Sequence, residues 1–209
     1  MRAMPIIELT LPIPECQQTV RLPAGALNWT EDEFFHFCQT NRELRIERTA
    51  KGEIIVMCPA GGYSGYESGE VFTQLNIWAR EDGTGIAFDS STGFLLPNGA
   101  MRAPDAAWVK RSRLKKLSRR EKEQFIPLCP DFLIEVASPS DTISELRAKM
   151  KEYLEAGLRL GWLIVPASQE VEVYTPAKVD ILTSPQTISG EPVLAGFELK
   201  LKSIWNPPF

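Results

Sequence analysis

The sequence predicts an α/β fold, a single 209-residue domain with a mixed central β-sheet flanked by helices. Three observations carry that expectation. The apolar run Phe132-Leu133-Ile134-Glu135-Val136-Ala137 is followed by a helical segment and a second apolar run, Gly161-Trp162-Leu163-Ile164-Val165. Strand, helix and strand in that order predict a right-handed crossover between parallel neighbours. Glycine turns after Lys51 and after Asn98 each separate two strand-like stretches, so antiparallel hairpins share the fold.

In chain order, residues 1–43 read as an N-terminal arm and a helix, and residues 44–209 as the core. The arm, Met1 to Leu27, is interrupted by prolines and carries short strand-like pieces such as Ile6-Ile7-Glu8-Leu9, suited to an edge strand or a dimer contact. Thr30 with Glu33 forms a capping box for a helix running to about Asn41. Leu44 to Arg48 and Glu53 to Met57 form the first hairpin. Pro59 to Gly69 is rich in glycine and serine but lacks the spacing of a phosphate loop, and it reads as a flexible lead into a helix from Tyr66 to Asp82. That helix carries Val71, Leu75, Trp78 and Ala79 on one face, with Glu70 beside it. Gly85 to Asp89 is a short strand, and Gly93 to Val109 a second hairpin that turns at Asn98-Gly99 and places Asp105 on its returning strand. Lys110 to Lys122 is a basic run that reads equally as a solvated helix and as a nucleic-acid contact. Thr142 and Glu145 predict a capping box, Gly157 a helix end, and Gly196 to Leu201 a last edge strand.

Composition excludes several classes of function. The formal net charge of −4 gives no global basic field, so any nucleic-acid surface is local. No apolar stretch is long enough to span a membrane, and MRAMPIIELTLPIPEC does not read as a signal peptide, so a cytoplasmic protein is expected. The four cysteines (Cys16, Cys38, Cys58 and Cys129) form no C-x-x-C pair and read as free thiols. His36 is the one histidine, which excludes multi-histidine zinc sites and argues against a Ser-His-Asp triad.

The chemistry that remains belongs to carboxylates and lysines. Asp105 lies beside the apolar run Ala106 to Val109, and Glu135 interrupts another. Burying a carboxylate there is costly unless it is paired or holds a cation. Asp131 is four residues from Glu135, about 13 Å along a strand, too far to share one Mg²⁺. Asp105 comes from a different strand, and neighbouring strands are only about 4.8 Å apart. Asp105 and Glu135 are therefore the better ligand pair, with Asp131 a strand-start residue or a group behind the ligands. On the following helix Leu146, Met150, Tyr153 and Leu154 define the buried stripe. Lys149 lies at its edge, while Lys151 faces water. A lysine beside a metal site can orient water or offset phosphate charge, and otherwise lays its stem over the core.

FDSSTGFLLPNGAMRAPDAAWV, CPDFLIEVASPSD, KMKEYLEAG and LGWLIVP, in this order, resemble the Uma-two family of restriction endonucleases, within the PD-(D/E)xK nuclease group. The resemblance covers about Leu44 to Trp205. It implies a restriction-endonuclease-like core, Mg²⁺ (or Mn²⁺) as cofactor, DNA as substrate and a homodimer. By position it implies Asp105 and Glu135 as metal ligands, Glu70 as the helical acid that assists metal or water, and Lys149 as the lysine of a K-x-x-x-Y pattern with Tyr153. The sequence departs from the wider group at one place: the usual E-x-K puts lysine where Ala137 stands. The expected function is metal-dependent hydrolysis of DNA phosphodiester bonds. The alternative is a catalytically inactive binding or assembly protein that keeps the fold and uses the acids structurally.

Overall fold

A computed structural model describes residues 19–22, 29–57 and 59–209. The elements run β1 (Thr19–Leu22), α1 (Glu31–Thr40), β2 (Arg45–Arg48), β3 (Ile54–Met57), α2 (Gly62–Asp82), β4 (Gly85–Asp89), β5 (Phe94–Leu95) and β6 (Met101–Arg102). They continue with β7 (Ala106–Lys110), α3 (Arg111–Leu114), α4 (Arg119–Glu123), β8 (Phe132–Val136), α5 (Ile143–Glu155) and β9 (Leu160–Val165). The chain closes with β10 (Glu170–Tyr174), β11 (Val179–Thr183), β12 (Thr187–Ser189), β13 (Glu198–Lys200) and α6 (Lys202–Trp205). Of the expected arm, Thr19–Leu22 pairs antiparallel with Ile54–Met57 at the end of a sheet. The pieces at Ile6 to Leu9, and Cys16 and Cys58, lie outside the described residues. Among the described residues no helix is long and apolar enough to cross a membrane.

The central sheet has six strands in the order β11-β10-β9-β8-β7-β4. β8 and β9 are parallel and joined through α5, the crossover that the two apolar runs predict, and every other pairing in the sheet is antiparallel. Both faces are covered. On one, Ala106, Trp108, Phe132, Ile134 and Trp162 pack under Val71, Leu75 and Ala79 of α2 and under Phe197 and Leu199. On the other, Ala107, Leu133, Leu163 and Val165 pack under Met150 and Tyr153 of α5. Alternation along each strand therefore sends even and odd residues of β7 and β8 to opposite layers, and Glu135 falls on the α5 side with Leu133.

A second, five-stranded sheet has the order β1-β3-β2-β6-β5. Phe34 of α1 closes it with Ile46, Ile54 and Met101. α1 begins with the expected capping box between Thr30 and Glu33. α5 has Thr142 as N-cap without a side-chain cap bond; the Glu145 N–H bonds the Thr142 carbonyl instead.

Three further expectations are corrected. α2 starts at Gly62, four residues before the expected start, because Gly61 takes the extended N-cap conformation and the glycine-serine stretch forms the helix's first turns. The stretch from Gly93 to Val109 is not one hairpin. β5 and β6 pair in the five-stranded sheet, and the chain then breaks at Ala103-Pro104-Asp105 and joins the central sheet as β7. Pro104 has no N–H for a ladder, so the strand ends before it. Asp105 thus sits in the passage between the two sheets. The last strand, β13, pairs with β12 in a separate two-stranded ribbon that leans on α2, and does not edge the central sheet.

Gly85 lies on β4 where any Cβ would overlap the Trp108 indole. Trp108 is 2% exposed and packs against Trp78, so it has little room to yield. Gly85→Ala is expected to cost about 2 kcal/mol through overpacking, read as a lower urea midpoint with an unchanged slope.

Candidate active site

The β7–β8 register aligns Ala106 with Ile134, and one step further brings Asp105 opposite Glu135. Both carboxylates are buried, at 6% and 3% exposure. Asp105 Oδ2 accepts the Val136 N–H at 2.8 Å. Its Oδ1 accepts from Arg45 Nη2 and from Ser68 Oγ, each at 3.2 Å. Glu135 Oε1 meets Lys149 Nζ at 2.8 Å and accepts the Tyr153 hydroxyl at 3.0 Å. Lys149 and Tyr153 stand one turn apart on α5, so one helix face delivers both donors. Ala137, where the wider nuclease group has lysine, is buried with its N–H on the Ile164 carbonyl, and the ammonium comes from α5 instead.

A third carboxylate, Glu47 of β2, completes the cluster. Its Oε1 takes Lys149 Nζ at 2.8 Å and the Ala103 N–H at 3.1 Å, while its Oε2 takes Arg102 Nη1 at 3.1 Å. Arg102 Nε in turn donates to Glu152 Oε2 of α5 at 2.6 Å. Glu47, Arg45 and Arg102 are the residues that sequence reasoning misses. Arg45 and Glu47 share one strand face, and strand alternation reads them as solvent-facing. Nothing local shows that α5 will cover them.

Burial alone would raise the pKa of Glu47, but Lys149, Arg102 and the Ala103 N–H reverse it, and the group is held below the usual carboxylate range. Glu135 shifts the other way. Burial raises it first, and the charges of Asp105 and Glu47 add to that against the opposing pull of Lys149. Lys149 would be lowered by burial, yet Glu135 and Glu47 together raise it and keep it an ammonium.

The expected helical acid lies elsewhere. Ser68 is the α2 side chain that touches Asp105, and Glu70, two residues on, lies on another side of the helix, about 200° around. Glu70 accepts from Gln74 Nε2 at 2.8 Å and Ser203 Oγ at 3.1 Å, and lines a separate groove with Trp78 and Lys200. The structure therefore brings Asp105, Glu135 and Lys149 together and leaves Glu70 out. Glu67, one turn before Val71, is the buried acid of α2, its pKa raised by burial. Asp131 binds the Lys110 N–H at 2.9 Å and Arg113 at 3.0 Å, at the opposite end of β8 from Glu135. The basic run is at that far end too. Arg113 is tied to Asp131, Arg119 to Glu123 and Arg120 to Asp32, and none of the run lines the groove over the acids.

That groove has a volume of about 1750 Å³ and is lined by residues of both large sheets, α2 and α5. Small-ligand pockets run to about 1,000 Å³, so its size suits a polymer. The oxygen-only donor set suits Mg²⁺, which is held by one or two carboxylates plus water and substrate phosphate. The mutual repulsion of Asp105, Glu47 and Glu135 is what an added cation would relieve. Among the described residues no three Asp, Glu, His or Cys side chains stand close enough to bind an ion by themselves.

A family model described as Uma2, putative restriction endonuclease, matches residues 31–202. The chain belongs to the Uma2 family. No curated protein matches the chain. Among solved structures, a putative nuclease of the DUF820 group from Anabaena variabilis superposes with a TM-score of 0.66 at 23% identity, covering 85% of this chain and 97% of that one. At that identity the likeness establishes the fold. Family and fold together are those of a restriction-endonuclease-like nuclease. The Uma2 match begins at the first residue of α1 and includes β2, so it takes in Glu47 as well as the carboxylates of the central sheet.

Lys149 pairs with two carboxylates whose side chains are each 4% exposed. Lys149→Met is expected to lower stability at pH 8 by about 3 kcal/mol, because it leaves buried charge uncompensated. Adding Glu135→Gln to the same chain is expected to return part of that loss in a urea titration.

Proposed function

We propose that this Uma2 protein hydrolyses DNA phosphodiester bonds with Mg²⁺ held by Asp105 and Glu135. The convergence of Asp105, Glu135 and Lys149 on the floor of an open groove is the observation that carries the reading. Bound there, the ion would polarise the phosphodiester and lower the pKa of a bound water. The rest is the work of the chain. The Val136 N–H, Arg45 and Ser68 fix the direction of the Asp105 carboxylate. Tyr153 fixes that of Glu135. Lys149 orients the attacking water or offsets charge that builds on the phosphate oxygens. Water attacks phosphorus, the bond to the leaving oxygen breaks, and a proton returns to that oxygen. The same reading takes Mn²⁺ as a substitute ion, a homodimer as the working form and the cytoplasm as the compartment.

One observation favours the second reading, a non-catalytic nuclease fold. Asp105, Glu135 and Glu47 each already have a cationic partner within 3.2 Å, which is also how a purely structural acid cluster is arranged. The two readings separate on supercoiled and linear DNA with Mg²⁺ or Mn²⁺. A nuclease nicks the plasmid only with metal, and Asp105→Ala is expected to reduce the rate at least 100-fold. No cleavage together with no Mg²⁺-dependent rise in melting temperature would instead establish the structural role.

A further inference from the structure

Lys149 Nζ lies 2.8 Å from Glu47 Oε1 and 2.8 Å from Glu135 Oε1, so one ammonium is shared equally by two carboxylates. The two are not equivalent. Glu135 has one further partner, the Tyr153 hydroxyl. Glu47 has two that hold it in place, the Ala103 N–H and Arg102, and Arg102 is anchored on Glu152. Glu152 belongs to α5, three residues past Lys149. A closed circuit therefore runs from α5 through Lys149 to Glu47 on β2, through Arg102 on β6, and back to α5. Glu135 stands outside that circuit and can change partners without breaking it.

We propose that Glu47 is a positioning residue that retains Lys149, so that Glu135 is free to take a metal ion. The inference rests on the nuclease reading of the site. An ammonium at 2.8 Å from Glu135 competes with any cation for the same oxygen. With Glu47 in place, Lys149 keeps a buried anionic partner when Glu135 exchanges it for an ion, and it stays charged beside the reacting phosphate. Without Glu47, Glu135 is the nearest anion left to Lys149, and the lysine blocks the metal. Glu47 thus acts on metal affinity through Lys149, beyond the field that its own charge adds at the site. Its carboxylate comes from the five-stranded sheet, so this sheet contributes to the chemistry as well as to the groove wall.

The test is calorimetric titration of Mg²⁺ alone, without DNA, into four folded proteins: wild type, Glu47→Gln, Lys149→Met and the double variant. Glu47→Gln is expected to bind Mg²⁺ about tenfold more weakly than wild type, the usual loss when a group behind a metal ligand is removed. The double variant is expected to lose much less than that relative to Lys149→Met, because Glu47 has no ammonium left to retain. It also removes both charges of the pair together and so keeps the comparison available if Glu47→Gln alone does not fold. Unchanged affinity in Glu47→Gln would overturn the inference, as would a double variant that binds about tenfold more weakly than Lys149→Met. If wild type takes up no Mg²⁺, the nuclease reading fails and takes this inference with it. If wild type binds and the variants behave otherwise than stated, the Glu47 inference alone fails.

Discussion

The Glu47 carboxylate is the constraint on which the arrangement of this molecule depends. It is 3% exposed and sits where two sheets meet, and it is tolerable there only because an ammonium, a guanidinium and a main-chain N–H all point at it. Those donors come from α5, β6 and the passage that leads into β7. Satisfying one buried charge therefore fixes how the five-stranded sheet lies against the central one. Asp105, two residues beyond Ala103, is set in place by the same passage, and Arg45, on the same strand as Glu47, reaches it from above. The opposite flank of α5 is tied in a similar way, with Arg147 on Glu172 of β10 at 2.6 Å and the Tyr174 hydroxyl on the same carboxylate. The helix that carries Lys149 is thus held against the sheet from both sides.

Much of the fold was legible because its signals are local. The parallel β8–α5–β9 unit, the β2–β3 hairpin and the α1 cap each follow from residues a few positions apart. The pairing of Asp105 with Glu135 was legible by elimination, since Asp131 is too far along the same strand and only a neighbouring strand could bring a second acid close. What failed depended on what covers an element. Strand alternation reports that Arg45 and Glu47 share a face, but not that α5 will lie over that face. Helix periodicity places Glu70 beside the apolar stripe of α2, but a difference of about 200° from Ser68 decides which groove it enters. The glycine-serine lead, without the spacing of a phosphate loop, reads as a flexible entry, whereas it forms the first turns of α2, where Tyr63 and Tyr66 pack edge-on against Phe209.

The basic run shows how charge in sequence misleads about site. Eight lysines and arginines between Lys110 and Lys122 look like a phosphate surface. In the fold Arg113 pairs with Asp131 and Arg120 reaches back to Asp32 of α1, and the strand β7 separates the run from Asp105 by about 17 Å. The cations that matter to the acids, Arg45, Arg102 and Lys149, are isolated in sequence and gather only in three dimensions.

The ion pair between Lys149 and Glu47 joins residues 102 positions apart. On a ribosome the chain emerges from its N-terminus, so Glu47 and Glu135 are both made before the ammonium they share. Contacts of such long range close late in folding as well. Until α5 docks, Glu47 has Arg102 and Asp105 has Arg45, while Glu135 still lacks the ammonium that pairs with it. The order of synthesis thus leaves one buried carboxylate to be balanced last, and the site acquires its electrostatic balance only when the fold is nearly complete.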